Sequence, residues 1–321
     1  MLVVFLYFKK EVDKMKHNAI LTTVLDFPER GPYGKSSYRG NCSGYIQKSL
    51  FEFFQPKKVG DFMAGGNTTG DVCEKLGIDY LTLDLNPELG GFDMLSDEIP
   101  ESFDFIFSHD PYHDIIKYSG NVWGDKPYPN DLSRCRTYEE FIGKINIAHA
   151  KMYNALRYGG HLAILTGDIK RKGRLYSLIK DMQWYGLPIQ HIIKTQHNCF
   201  SDNVNYSGKF IPIVHEHLLI FKKDDHYIIR CTITKTMDLD TRTRTKMSWH
   251  SVVLNAMEKL GGKATLQELY EEIEDHAKTK TNNHWKEKIR QTLQIYDDFK
   301  NVSRGVYEIV SLGGKKTVAI A

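Results

Sequence analysis

Three short apolar runs, each closed by small or acidic residues, dominate the first half of the chain. Val59-Gly60-Asp61 ends the first. Tyr80-Leu81-Thr82-Leu83 forms the second and stops at Asp84. Phe103–Phe107 forms the third and runs into His109-Asp110-Pro111-Tyr112. Each run is short and predicts a strand. Between the first two lies a turn of small side chains, Ala64-Gly65-Gly66-Asn67-Thr68-Thr69, and Thr69–Leu76 predicts a helix. Upstream, Ile20–Leu25 reads as a strand or extended arm. Gly40-Asn41-Cys42-Ser43 leads into a helical spacing of Ile46, Leu50, Phe53 and Phe54. Downstream, Tyr138–Leu156 is an amphipathic helix with Phe141, Ile145, Ala148 and Tyr153 among its apolar positions, ended by Gly159-Gly160. His161–Thr166 predicts a buried strand and Leu175–Trp184 another helix. Gln190–Thr195 and Glu216–Lys222 predict an antiparallel pair at the sheet edge.

The pattern breaks at residues 231–246, which are rich in Thr and charge and carry no core-forming period. This is the expected linker. Beyond it, Trp249–Leu260, Leu266–Ile273 and Trp285–Tyr296 predict three helices. Phe299–Val302 and Gly305–Val310 predict a hairpin. The expected division is a possible upstream extension at 1–14, a large domain over 15–230, the linker, a small domain over 247–310 and a tail over 311–321.

Composition narrows the class. The 321 residues are 41% hydrophobic and 26% charged, ordinary values for a globular protein. Residues 1–230 hold 28 Lys and Arg against 28 Asp and Glu, while residues 231–321 hold 15 against 12. The net charge of +3 therefore sits in the C-terminal part, a slight bias toward a polyanion there. Five widely spaced cysteines without a CxxC predict free thiols in a reducing cytoplasm and no metal site. Leu2–Phe8 is apolar but too short to span a membrane, and no basic residues precede it.

A strand, a Gly turn, a helix and a strand tipped by an acid is the signature of a nucleoside-binding α/β fold. The glycines let a ligand approach the backbone, and Asp84 is placed to accept hydrogen bonds from two ribose hydroxyls. This stretch resembles the S-adenosylmethionine-dependent amino-group DNA methyltransferases. Their first motif runs close to D-P-F-A-G-x-G-T; Asp61, Ala64, Gly65 and Thr68 match it, while Phe62, Met63 and Asn67 depart. Their catalytic motif is D/N/S-P-P-Y, and His109-Asp110-Pro111-Tyr112 stands at its place, matching at Pro111 and Tyr112. The resemblance implies a Rossmann-like methyltransferase sheet with helices on both faces, and S-adenosyl-L-methionine as cofactor. It implies cofactor contacts from Asp61, Ala64, Gly65, Gly66, Asn67, Thr68 and Asp84. Asn41 and Ser43 are expected near the cofactor carboxylate, with a helix cap as the other reading of Ser43. Asp93 stands either beside the adenine or in a turn.

In this family the target base is flipped out of the duplex, its amino hydrogens are accepted by a polar side chain and a backbone carbonyl, and an aromatic ring stacks on it. Tyr112 is the expected stacking ring. His109 accepts one hydrogen through a ring nitrogen, or Asp110 does so if the loop is shifted by one residue; the carbonyl of Asp110 replaces that of the first Pro. The other reading of the altered motif is lost activity. Adenine N6 is the expected acceptor, ahead of cytosine N4. Chemistry at cytosine C5 is disfavoured, because none of the ten prolines is followed by Cys. Lys117, Trp123 and Lys126, in the long connection to Asp131, are candidates for DNA contact. So are Lys170, Arg171, Lys172 and Arg174, unless they form a solvated loop. The polar stretch 196–209, with Asn198, Asn203, Asn205 and Tyr206, is a candidate for reading base edges.

The C-terminal pattern resembles the winged helix-turn-helix domain attached to some restriction and modification enzymes. Its third helix would enter the major groove through Lys286, Arg290, Gln291 or Gln294, and Arg304 would touch phosphate. Double-stranded DNA is the implied partner, with a cognate restriction enzyme as a companion. Two rivals stay open: an enzyme of the same fold acting on RNA or a protein amide, and a non-catalytic DNA-binding regulator.

Overall fold

The computed structural model describes residues 21–197 and 211–310. The expectations for residues 1–14, for Asn198, Asn203, Asn205 and Tyr206, and for the tail lie outside them. The chain divides into two compact units at Lys235/Thr236.

The first unit is built on a seven-stranded mixed sheet. In chain order its strands are β1 (Val24–Leu25), β2 (Lys58–Asp61), β3 (Asp79–Thr82), β4 (Phe103–His109), β5 (Leu156–Thr166), β9 (Leu187–Thr195) and β10 (His215–Lys222). Across the sheet they run β1-β9-β10-β5-β4-β2-β3. β3, β2, β4 and β5 are parallel, while β10 is antiparallel to β5 and to β9. The antiparallel pair was expected at the edge. Instead β10 is interior, and β1 adds to β9 in parallel.

Helices cover both faces, as a largely parallel sheet requires. On one face lie α1 (Gly44–Phe54) and α2 (Thr68–Leu76); on the other lies α3 (Tyr138–Asn154). The strands supply both cores by alternation. Leu162, Ile164, Leu219 and Phe221 pack with Phe141 and Ile145 of α3; Ala163, Leu165, Leu218 and Ile220 pack with Ile46, Leu50 and Phe51 of α1. Burying each of the larger side chains stabilises the fold by about 1.5–3 kcal/mol. Thr137 caps α3 by accepting the Glu140 N–H, and Glu139 and Glu140 sit favourably in the first turn. The helix ends at Asn154, and Gly159-Gly160 lie inside β5 rather than closing the helix.

The helix expected over 175–184 does not form. Lys172 (φ 48°) and Gly173 (φ 77°) take the two left-handed positions of a tight hairpin turn. That turn joins β6 (Ile169–Arg171) to β7 (Arg174–Tyr176). A single helical turn, α4 (Leu178–Asp181), and β8 (Trp184–Tyr185) follow. β8 pairs with β11 (Cys231–Thr232), so the start of the expected linker is held by the first unit.

The second unit has α5 (Trp249–Lys259), β12 (Lys263–Thr265), α6 (Leu266–Ile273), α7 (Ala277–Lys280), α8 (Trp285–Ile295), β13 (Phe299–Ser303) and β14 (Val306–Ile309). β14 lies between β12 and β13, so the expected hairpin gains a third strand. Val253, Met257, Leu269, Ile289 and Leu293 form its core. Thr265 and Glu268 form a capping box that starts α6.

Candidate active site

A cleft opens at the C-terminal ends of β2, β3 and β4, where α/β sheets bind ligands. About 840 Å³ of space, part of it open to solvent, lies within it. Asp61 ends β2 and is buried. Its carboxylate accepts the Thr69 hydroxyl at 2.6 Å and the Met63 N–H at 3.2 Å. Burial pushes this carboxyl up to about 7. The chain then turns through Gly65 (φ 52°) and Asn67 (φ 62°), both left-handed. Asn tolerates that conformation, which accounts for its standing where a glycine is usual. A Cβ on Gly65 would meet the Tyr38 ring at 2.9 Å.

Asp84 follows β3 and binds back to this turn. Its carboxylate accepts the Gly65 N–H at 2.9 Å and the Asn86 N–H at 2.8 Å. Burial raises the carboxyl, against those two bonds. Each oxygen retains acceptor capacity for a ligand. Ala64, Thr68, Asn41 and Asp93 also line the cleft. Asp93 lines the cleft and also accepts the Leu95 N–H at 2.9 Å in a turn, with the Asn130 amide at 2.6 Å. Three expected cofactor residues stand elsewhere. Ser43 donates to the Glu29 carbonyl at 2.8 Å and caps nothing. Gly66 and Asn67 shape the turn without lining the cleft: the Gly66 carbonyl accepts the Lys35 N–H at 2.8 Å, and the Asn67 N–H reaches the Ala64 carbonyl at 2.8 Å.

The altered motif at the end of β4 forms the opposite wall. His109 and Pro111 face the cleft. Asp110 does not: it is buried, accepting the Ser108 hydroxyl at 2.7 Å and facing His149 Nε2 at 2.9 Å. A loop shifted by one residue is therefore not what forms. Tyr112 is also absent from the wall. Its ring lies against Gly167, where a Cβ would come within 2.8 Å. Its hydroxyl donates to Glu216 at 2.6 Å and lies 3.2 Å from His109 Nε2. Glu216 is buried and receives the Lys194 ammonium at 2.7 Å. Burial raises the Glu216 carboxyl, but Lys194, His109 and the Tyr112 hydroxyl together outweigh it and hold the group ionised. Burial lowers the His109 imidazole against the charge of Glu216, so the ring is neutral at neutral pH.

The connection after Tyr112 is an ordered wall. The Asp131 carboxylate accepts the N–H and hydroxyl of both Ser119 and Ser133, at 2.6–2.8 Å. This brings Tyr118 and Trp123 to the cleft, and Tyr118 stacks on Tyr38 with ring centroids 6.0 Å apart. Trp123 is thus a cleft residue. Lys117 turns inward to the Ser133 carbonyl at 2.7 Å. Lys126 is exposed. The basic cluster is a hairpin with all four side chains exposed. Arg171 pairs with Asp114, Arg174 lies over the Tyr176 ring, and Lys170 reaches the Ile211 carbonyl.

The cleft wall holds four carboxylates, Asp61, Asp84, Asp93 and Asp131, and no Lys or Arg among the described residues. Sequence reasoning missed Glu216, Lys194, His149, Tyr38 and Gln47. For Glu216 and Lys194 a signal existed: each interrupts an apolar strand with a charge.

In the second unit, α8 exposes Lys286, Gln291 and Gln294, and Arg304 is exposed in the β13–β14 turn. Arg290 is committed to the Tyr270 hydroxyl and to Glu287, each at 2.9 Å. Gln291 accepts the Lys288 ammonium at 2.8 Å. Lys286 lies 5.2 Å from the ring centroids of both Tyr270 and Trp285.

Residues 245–308 match the family model of the Dam-replacing HTH domain. The second unit is a domain of this helix-turn-helix type. No curated protein matches the chain by sequence. Among solved structures, TrmN from Thermus thermophilus is 13% identical with a TM-score of 0.35, over 58% of this chain and 50% of TrmN. Human N-acetylserotonin methyltransferase in complex with SAM is 15% identical with a TM-score of 0.27, over 43% of this chain and 37% of that enzyme. The N-methyltransferase NodS from Bradyrhizobium japonicum WM9, in complex with S-adenosyl-L-homocysteine, is 12% identical with a TM-score of 0.32, over 56% of this chain and 87% of NodS. The chain spans less than two thirds of the first two of these structures. At such scores the fold assignment rests on strand order and register.

Proposed function

We propose that the first unit transfers a methyl group from S-adenosyl-L-methionine to an exocyclic amino group of a flipped DNA base, adenine N6 ahead of cytosine N4. The helix-turn-helix unit would bring it to duplex DNA. What carries the reading is the chemistry of the cleft: four acidic side chains, stacked aromatic rings and, among the described residues, no Lys or Arg line one wall, and His109 and Pro111 of the altered motif line the other. Carboxylates repel phosphate, which disfavours a phosphorylated nucleotide cofactor. They suit a cationic group with ribose hydroxyls, and aromatic faces attract a cation. The Gln47 side-chain oxygen, buried at the cleft wall with no hydrogen-bond partner among the described residues, offers a further acceptor.

Asp84 would hold the ribose, Phe92 and Asp93 would flank the adenine, and Asn41 and Thr68 would meet the amino-acid end. The cofactor would supply an electrophilic methyl group. His109 would orient the amino nitrogen and, being unprotonated, accept the proton that nitrogen loses as its bond to carbon forms. The Asp110 carbonyl remains the expected second acceptor. Rate would come mainly from positioning.

Transfer of labelled methyl to mixed-sequence duplex DNA, followed by nucleoside mass spectrometry, tests this. A methylated adenine or cytosine is expected. No product from folded protein that binds cofactor and DNA would overturn it. Transfer to RNA or a protein amide instead would move the acceptor to that class.

A further inference from the structure

The Tyr112 hydroxyl has a single hydrogen, and its geometry commits that hydrogen to the Glu216 carboxylate at 2.6 Å. The phenol oxygen can then only accept from His109 Nε2, 3.2 Å away. A neutral imidazole has one N–H, so a proton on Nε2 leaves Nδ1 with a free lone pair. His109 Nδ1 hydrogen-bonds to no described residue, and the ring lines the cleft. Lys194 completes the chain by holding Glu216 from its other oxygen at 2.7 Å. Four residues from three strands and a loop thus end in one unprotonated nitrogen at the wall.

We propose that Glu216 is a positioning residue that, through Tyr112, fixes His109 as its Nε2–H tautomer and so presents Nδ1 as a hydrogen-bond acceptor to the acceptor base. This rests on the methyltransferase reading and deepens it. An acceptor at that place selects bases carrying an amino group and opposes a keto oxygen, whose lone pairs would face another lone pair. The side chain that discriminates is His109, but Glu216 sets which way it discriminates. The opposite tautomer would present an N–H and favour the keto bases.

Long-range proton–nitrogen correlation NMR on full-length protein labelled with 15N-histidine reads the tautomer without any turnover. The His109 signals are those lost in His109→Gln. In the wild type, a protonated Nε2 and an unprotonated Nδ1 are expected at about neutral pH. Tyr112→Phe keeps the Glu216–Lys194 pair and removes the oxygen between it and His109. The variant should lose the Nε2–H preference, and kcat for methyl transfer should fall about tenfold or more with little change in KM for DNA. An Nδ1–H tautomer or an imidazolium in the wild type overturns the inference. So does a tautomer unchanged in Tyr112→Phe. The expected tautomer without transfer to any DNA overturns the methyltransferase reading and the use of Nδ1 for a base. It leaves the control of the tautomer by Glu216 standing.

Discussion

The Asp110 carboxylate and the His149 imidazole meet at 2.9 Å with both side chains buried. The pair ties the loop after β4 to α3 and takes Asp110 away from the cleft. His149→Phe keeps a ring of similar bulk and removes the hydrogen-bonding nitrogen. It should cost about 1–3 kcal/mol by leaving a buried carboxylate oxygen short of a partner. Urea denaturation checks this; a midpoint equal to wild type would show that the pair contributes nothing.

Asp84 should dominate cofactor affinity. Hydrogen bonds to a charged group contribute about 1.5–3 kcal/mol, or roughly ten- to a hundredfold in affinity. Isothermal titration of Asp84→Ala with S-adenosylmethionine should show a loss in that range. An unchanged Kd would remove Asp84 from the site.

Asp61 gives the ligand-free protein a pH dependence of defined sign. Its carboxyl stands at about 7 in the fold against an ordinary value of 3.8. The folded chain therefore holds a proton that the unfolded chain has released. The resulting stabilisation is complete below the ordinary value and is lost as pH rises through about 7. Asp61→Asn should flatten this slope. Melting temperatures of the two proteins across that interval decide it, and parallel curves would refute the assignment.

Gly167 is a steric gauge of the Tyr112 ring. It has no left-handed strain, so Gly167→Ala adds only a methyl group, placed 2.8 Å from the ring. Overpacking of this kind costs about 1–3 kcal/mol. Displacing Tyr112 should lower methyl transfer while leaving cofactor affinity unchanged. A fully active variant would show that the ring's position is immaterial.

DNA binding by the full chain should weaken with salt, and Arg304→Ala should reduce the slope of log K against log salt by about 1. Gln294→Ala should instead relax sequence preference, by about 1–3 kcal/mol at one position. Fluorescence anisotropy over a salt series separates the two effects. Identical behaviour of both variants and wild type would place the DNA-facing surface elsewhere.

Much of the fold was legible because both cores are written into strand alternation. Phe105 and Phe107 face α1 while Ile106 faces α3, so an unbroken apolar run marks β4 as a strand covered on both sides. The Gly turn and Asp84 were legible for a similar reason: local geometry demands those residues. The region 175–184 misled because Leu175, Ile179 and Met182 fit a helical spacing. Two left-handed residues upstream set a hairpin turn, and tertiary packing of Tyr176 on Tyr138 overrode the spacing. The Tyr112–Glu216 link was illegible, because it joins residues 104 positions apart through side chains alone.

In the register of β9 and β10, Glu216 stands directly opposite Lys194. Side chains alternate along a strand, so a slip of one residue would turn Glu216 to the α3 face and strand Lys194 without its counter-charge. The Gly turn and Asp84 follow β2 and β3, but Glu216, which receives the Tyr112 hydroxyl beside His109, comes from β10. The buried charge pair thus acts as an interlock on register: only a chain whose β10 has docked in frame brings Glu216 to the Tyr112 hydroxyl.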